Sequence, residues 1–427
     1  MLKVFIGSWA LLLGMLLLMI GNGLQGTLMG VRGGIEGFST FELSLVTSGY
    51  FLGFLGGSHF APGFIRRVGH VRVFAALASM ISAALILYPA INYSWAWILL
   101  RIVIGFSFSG VYVTAESWLN NSSTNETRGQ TLSLYMIVQM AGIVVAQLLL
   151  NVADPAGYML FVIPSVLVSI SFAPILLSVS PTPAFGNNKQ MSLKELYTVS
   201  PTGFVGMFLL GSVFAAQFGM SSVYATSSGL SVSQISVFMS SIFIGALVLQ
   251  YPIGWLSDRM DRRILIVIVA VIGSLGASLG WLFGPNFTVL LIAGAAIGGT
   301  SNPLYSLLIA YTNDYLEVDD MAAAAGGMLF ANGLGAILGP ILIGWAMTSI
   351  GPQAFWFFIL VLLAAIAAYA GYRMTRRASA FAEEDNYDAV PYVAISPAGS
   401  PIVAEVAQEV YVEAAEELAS DIEEETP

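Results

Sequence analysis

Twelve apolar stretches, each about twenty residues or more, follow one another along this chain. They fall at about residues 4–30, 41–65, 73–92, 95–118, 130–151 and 157–179, and then at about 201–226, 232–257, 264–284, 286–312, 321–349 and 351–373. A helix rises 1.5 Å per residue, so roughly twenty apolar residues cross a hydrocarbon layer of about 30 Å. With 57% hydrophobic and only 9% charged residues, the chain has more apolar surface than a soluble core can bury. The expected fold is an all-α polytopic membrane protein with twelve transmembrane helices, since helices alone satisfy their backbone groups within one segment in lipid. The opening "MLKVFIGSWALLLGMLLLMIG" has the order of a signal peptide, but its apolar run is too long and lacks a clear small-residue cleavage site. It reads as an uncleaved first span.

The connection "SPTPAFGNNKQMSLKEL", around residues 180–196, divides the spans six and six. The expected organisation is a first six-helix bundle over 1–179, a linker over 180–200, a second bundle over 201–377 and a tail over 378–427. With both termini on one side, Lys3, Arg66, Arg67, Arg72, Arg128, Lys189, Lys194, Arg259, Arg262, Arg263, Arg373, Arg376 and Arg377 all fall on that side. Only Arg32 falls opposite, and Arg101 lies within a span. The positive-inside rule makes that side, and both termini, cytoplasmic in a plasma (inner) membrane protein. After Arg377 there is no Lys or Arg, and thirteen Asp and Glu follow, which outweigh the net charge of −10. The membrane part is therefore slightly basic. The tail's like charges four residues apart oppose an isolated helix and favour disorder, which leaves it a candidate for binding a cytoplasmic partner rather than lipid.

The two halves repeat. Gln25 aligns with Gln217, Ser48 with Ser240, Phe51 with Phe243 and Gly53 with Gly245, all 192 apart. After one inserted residue, Gly105 aligns with Gly298, Tyr112 with Tyr305, Asn120 with Asn313 and Gly142 with Gly335, all 193 apart. The constant register points to a duplicated six-helix unit, the pattern of parallel-repeat transporters. Offset by 192, "DRMDRR" (258–263) lies over "RRVGHV" (66–71), so both clusters occupy the loop between the second and third spans of their half.

"GWLSDRMDRR" (254–263) resembles the G-x-x-x-D-R-x-G-R-R loop signature of the major facilitator superfamily. Arg101 in "RIVIGFSFSG" resembles that family's helix-4 arginine motif. "APGFIRRVGHVRVF", "ESWLN" followed by "RGQTLSLYM", and "NPLYSLLIAYTNDYL" resemble its YcaD branch. The resemblance covers roughly residues 4–377 and implies two six-helix bundles moving a solute by alternating access, with spans 1, 4, 7 and 10 lining the cavity and the loops latching the cytoplasmic side. The first-half loop carries no aspartate matching Asp258. The expected gate residues are Asp258, Arg259, Arg262 and Arg263, with Asp258 facing Arg262 or Arg263, and Glu116 facing Arg66, Arg67 or Arg72 through charge-assisted hydrogen bonds. Read blandly, they are surface charges that set topology.

Arg101 lies about 9 Å inside the outer end of the fourth span, where an ionised guanidinium needs a partner or water. It either bonds carbonyls of a neighbouring helix or attracts an anionic substrate. Glu42 in "STFE" reads as half of a capping box. No Asp or Glu sits near the midplane of a span, so proton coupling stays open and rests on Glu116, His59 or neither. Among uncharged groups, Asn22, Gln25, Gln217, Tyr224, Asn302 and Tyr305 are expected to join Arg101 at the cavity, each with interhelical bridging as the alternative. Gln139, Gln147, Gln250 and Asn332 also need partners. The Asn-Pro of "GGTSNPLYS" predicts a kink or unwound turn near Asn302.

Cysteine is absent and the two histidines, His59 and His70, have no ligand spacing, so no metal or other cofactor is expected. No nucleophile–base pair or phosphate-binding glycine loop marks an enzyme, and no nucleic-acid partner is expected. The function read from the sequence is a secondary transporter of a small organic solute, anionic or amphipathic in view of Arg101. The alternative is a non-transporting membrane receptor or scaffold with the acidic tail as its output.

Overall fold

The computed structural model describes residues 2–121, 125–177, 191–316 and 318–376; the acidic tail and residues 178–190 of the linker region lie outside the described residues. The first half holds α1 (Leu2–Ile35), α2 (Thr40–Val68), α3 (His70–Leu87), α4 (Ser94–Asn121), α5 (Asn125–Leu149) and α6 (Met159–Ser171, continued by Ala173–Leu177). The second holds α7 (Pro201–Ala215, then a π-helical turn Ala216–Met220 and Ser221–Ser227), α8 (Val232–Ser257), α9 (Arg262–Phe283), α10 (Phe287–Asn313), α11 (Val318–Ile350) and α12 (Ala354–Met374). A short helix, Leu193–Val199, precedes α7.

Eleven helices among the described residues are long and apolar enough to cross a membrane. The twelfth, α2, has the length at 29 residues, but its sequence gives over many positions to glycine, serine and charge. Those small residues have a packing purpose. A Cβ at Gly53 of α2 would overlap the carbonyl oxygen of Ile102 on α4, and one at Gly105 of α4 would overlap that of Tyr50 on α2. The backbones touch there, the close approach that small residues permit where lipid gives no hydrophobic drive to helix association.

The same approach recurs in the second half. A Cβ at Gly245 of α8 would strike the carbonyl of Ala295, and one at Gly298 of α10 that of Ile242. Ala295 stands 193 residues after Ile102, and Ile242 stands 192 after Tyr50. Gly142 of α5 packs on Leu16 and Met19 of α1, while Gly335 of α11 packs on Phe208 of α7, 192 after Leu16. The halves are thus two pseudo-symmetric six-helix bundles that match helix by helix and contact by contact.

Local signals start several helices. Ser39 and Glu42 form the expected capping box at α2, and Ser231 with Gln234 forms its counterpart at α8. Asn286 caps α10 and Asp261 caps α9. Around Pro303, α10 stays helical, with Asn302 Nδ2 donating to the Gly298 carbonyl at 3.2 Å and Ser301 Oγ to that of Ile297 at 2.7 Å. The unwound turn expected near Asn302 is therefore not there; the departure from α-geometry falls on the facing helix, at the π turn of α7.

The turns 69, 258–261 and 314–316 lie on one side of the bundle, the basic face; the turns 36–39, 228–231 and 351–353 lie on the far face. Where the halves meet, α1 packs on α7, α2 on α11 and α5 on α8. Much of this seam sits toward the far face. A Cβ at Gly30 would overlap Ser222 Oγ, and one at Gly344 would overlap Ser44 Oγ. Ser48 Oγ donates to the Ile337 carbonyl at 2.8 Å, and Ser236 Oγ donates to that of Gln147.

Candidate functional site

Beneath the seam, between the bundles, is a cavity of about 100 Å³ walled by α1, α2, α4 and α5 from the first half and α7, α8 and α11 from the second. Arg101 reaches it from α4 and is 4% exposed. Its guanidinium lies over the Tyr50 ring, 4.8 Å from the centroid, a cation–π contact in a dry setting. One Nη1 donates to Gln25 Oε1, and Nε has no partner. Among the described residues no carboxylate pairs with Arg101.

Gln25 passes the contact on. Its Nε2 donates to Asn22 Oδ1 at 3.2 Å, Asn22 Nδ2 donates to Tyr112 Oη at 2.9 Å, and Tyr112 Oη donates to Met19 Sδ at 3.2 Å. Helical spacing on α1 puts Asn22 and Gln25 on one face, so four side chains from two helices form one line from Arg101 along the cavity wall. Asn22 and Arg101 border the cavity, while Gln25 touches it only through Arg101.

The other residues expected at the cavity sit elsewhere. Gln217, in the π turn, accepts from Ser301 Oγ at 3.0 Å and donates to the Ile297 carbonyl at 3.2 Å, tying α7 to α10. Tyr224 stacks on Phe355 with centroids 4.9 Å apart. Asn302 bonds back to its own helix, and Tyr305 is buried edge-on to Phe214 at 6.0 Å. Sequence reasoning passed over Tyr50, Phe54 and Phe218 as cavity residues, and Asn332, noted there only as an interior polar group, borders the cavity too. Phe51 and Phe243 also line it; their identity across the repeat was the one signal that marked a shared position.

On the basic face, Arg262 is buried, bonds Ser257 Oγ at 3.2 Å and pairs with Asp314 at the end of α10. Its repeat mate, His70, is buried too, with Nε2 3.0 Å from Ser117 Oγ of α4. Each half thus fastens the start of its third helix to the end of its fourth by one buried polar side chain. Arg263 pairs with Asp261 at 2.8 Å. Arg259 lies over the Trp255 ring at 4.3 Å, and Asp258 caps α8 half-buried. Glu116 is 2% exposed and accepts from Tyr135 Oη at 2.9 Å. Arg66, Arg67 and Arg72 are exposed.

The sequence model described as Major Facilitator Superfamily matches residues 11–231 and 202–404. YfkF of Bacillus subtilis, named as an uncharacterised MFS-type transporter, is 25% identical over 333 residues, 75% of this chain and 84% of its own. YcaD of Escherichia fergusonii, named likewise, is 28% identical over 338 residues, 77% of this chain and 86% of its own. Among solved structures, the nucleoside transporter NupG superposes with a TM-score of 0.69 at 17% identity, over 88% of this chain and 100% of that one. A bacterial homologue of the human lysosomal transporter Spinster, inward-facing and unoccupied, superposes with a TM-score of 0.67 at 13% identity, over 96% and 98%. By its sequence, its two six-helix bundles and its repeat, the chain belongs to the Major Facilitator Superfamily.

Proposed function

We propose that this protein carries a small organic solute, anionic or amphipathic, across the plasma membrane by alternating access of its two bundles. The observation that carries the reading is the placement of Arg101: a buried cation with no carboxylate partner among the described residues, in a cavity to which both bundles contribute. A cavity on the seam of two rigid halves is opened to either side by rocking one half against the other.

The basic face is the cytoplasmic one and holds both termini, as the placement of Lys and Arg supports. With the far-face seam shut, the arrangement is then the inward-facing member of the cycle. The charged loops at Asp258–Arg263 and around Arg66, Arg67, Arg72 and Glu116 brace the cytoplasmic ends and take part in closing them. Proton coupling, where it operates, rests on Glu116 or His59, of which Glu116 is a buried carboxylate at the end of α4. The acidic tail serves a cytoplasmic partner.

The test is a thermal-stability screen of the purified protein against metabolites and drugs, repeated on Arg101→Ala, followed by uptake of the hits into proteoliposomes. A solute that stabilises the parent in proportion to its binding, loses that effect in the variant and accumulates in the vesicles supports the reading. Hits that bind but never cross the bilayer in either direction would overturn it.

A further inference from the structure

At three places where both duplicated halves reach the cavity, they fill equivalent positions with opposite chemistry. Asn22 borders it from α1, and Phe214, 192 residues on, borders it from α7. Thr27 answers to Gly219, and Thr47 to Met239, in the same way. Arg101 has Gly294 as its mate, and Tyr50, which supports the guanidinium, has Ile242. At these places the first bundle is polar or cationic and the second is apolar, whereas the pair Phe51 and Phe243 is alike. Asn332 is the exception in the second bundle, and its amide nitrogen is committed to the Met207 carbonyl at 3.1 Å.

Aromatic rings, by contrast, come from both sides. Tyr50 meets Phe51 edge-on at 5.4 Å and Phe54 at 6.1 Å on α2. Across the cavity Phe218 meets Phe243 at 5.5 Å and Phe214 at 6.1 Å. Two aromatic clusters therefore face one space, with a guanidinium at the first-bundle edge. That guanidinium lies beside the Tyr88 hydroxyl, but among the described residues its Nε is partnerless and Gln25 accepts from one Nη1, so its planar fork has donors left for a planar, bidentate anion.

Size narrows the solute further. The cavity, about 100 Å³, is several times the roughly 10–15 Å³ that admits a single water, so it takes a small solute rather than a lone water. Resting on the transport reading above, we infer that the cavity takes a single-ring aromatic monocarboxylate. Its carboxylate forks onto Arg101 and displaces Gln25; its ring lies between the Tyr50–Phe51–Phe54 and Phe214–Phe218–Phe243 clusters. The first bundle recognises the charge and the second grips the ring, so the solute bridges both.

The experiment uses the full chain in detergent and in proteoliposomes, with benzoate, 4-hydroxybenzoate, benzamide and butyrate as probes. Benzoate and 4-hydroxybenzoate are expected to raise the melting temperature and to bind at least tenfold more tightly than benzamide, which keeps the ring but not the charge. Butyrate, with the charge but no ring, is expected to bind at least tenfold more weakly than benzoate. Arg101→Gln should erase the preference for benzoate over benzamide. Phe243→Leu should erase the preference for benzoate over butyrate. The probe comparisons on the unaltered protein stand even where a variant does not fold. Equal binding of acid and amide, or no binding of either aromatic acid, overturns the inference. The transport reading is judged separately: cysteines placed in the cavity of this cysteine-free chain must be labelled from one face or the other in alternation, and labelling from one face only under all conditions overturns transport rather than the solute class.

Discussion

Two buried arginines show how far the surroundings of one residue decide its role. Arg32, at the far end of α1, forms an ion pair with Glu36 at 2.6 Å and donates through Nη1 to the carbonyls of Pro155, Ala156 and Gly157, those of Pro155 and Gly157 at 3.0 Å. It also lies 5.9 Å from the Phe161 centroid. An ion pair at Nε, three carbonyls at Nη1 and a ring engage this guanidinium, so it is a fastener between α1 and the turn before α6. Arg32→Ala is expected to lower stability by about 3 kcal/mol, the scale for breaking a buried, hydrogen-bonded charge pair, read as a fall in the melting temperature of the purified protein. Among the described residues Arg101 has the Gln25 oxygen as acceptor, the Tyr50 ring beneath it and the Tyr88 hydroxyl beside it. Removing Arg101 relieves a buried charge that no described carboxylate neutralises, so Arg101→Gln should depress the melting temperature far less than Arg32→Ala while erasing the preference for benzoate over benzamide. A larger loss for Arg101→Gln than for Arg32→Ala would make Arg101 a structural residue. The sequence marked Arg101 by its depth and passed over Arg32, because the carbonyls that hold Arg32 lie more than 120 residues away.

At the scale of the helix, the crossings of α2 with α4 and of α8 with α10 are one design used twice. Side chains added at Gly53 or Gly245 meet backbone carbonyls, which cannot swing aside as a flexible side chain would. Gly53→Val and Gly245→Val should each destabilise by at least about 1–3 kcal/mol, the range for overpacking, and by similar amounts, measured by thermal unfolding. A large effect in one half and none in the other would break the equivalence of the bundles. The basic-face fasteners divide in the same manner: Asp314→Asn, which removes the charge facing Arg262, should lower stability, whereas Asp258→Asn should alter transport at little cost in stability. Helix existence and the repeat were legible in residue spacing, since hydropathy and register are local and additive. The partners of Gln217 and Arg262 were not, because a polar side chain in a bundle bonds whichever group the neighbouring helix presents, and pairwise spacing does not say which that is.

For the whole molecule, the decisive feature is the shut seam on the far face. Gly30 lies against Ser222 and Val223, and Gly344 against Ser44, with no space for a side chain at either. Gly30→Val or Gly344→Val should wedge the bundles apart there and shift the population toward the far-open state, as differential stability of two conformers requires. A cysteine at Thr47, which borders the cavity, would then react faster with a membrane-impermeant maleimide added from the far face. An unchanged labelling rate, in a variant that still folds, would mean that the seam is not the barrier. The sequence by itself determined twelve spans, their duplication and the bias of positive charge to one face, because hydrophobic burial and membrane insertion depend on what each segment is made of. Only the tertiary structure placed Asn22 and Arg101 at this cavity and Gln217, Tyr224, Asn302 and Tyr305 in other contacts, with polar groups at the first bundle's edge of the cavity and rings on both sides. A helix buried on most of its circumference gives no periodic sign of which side faces a neighbour and which faces the cavity, and that choice is made by packing.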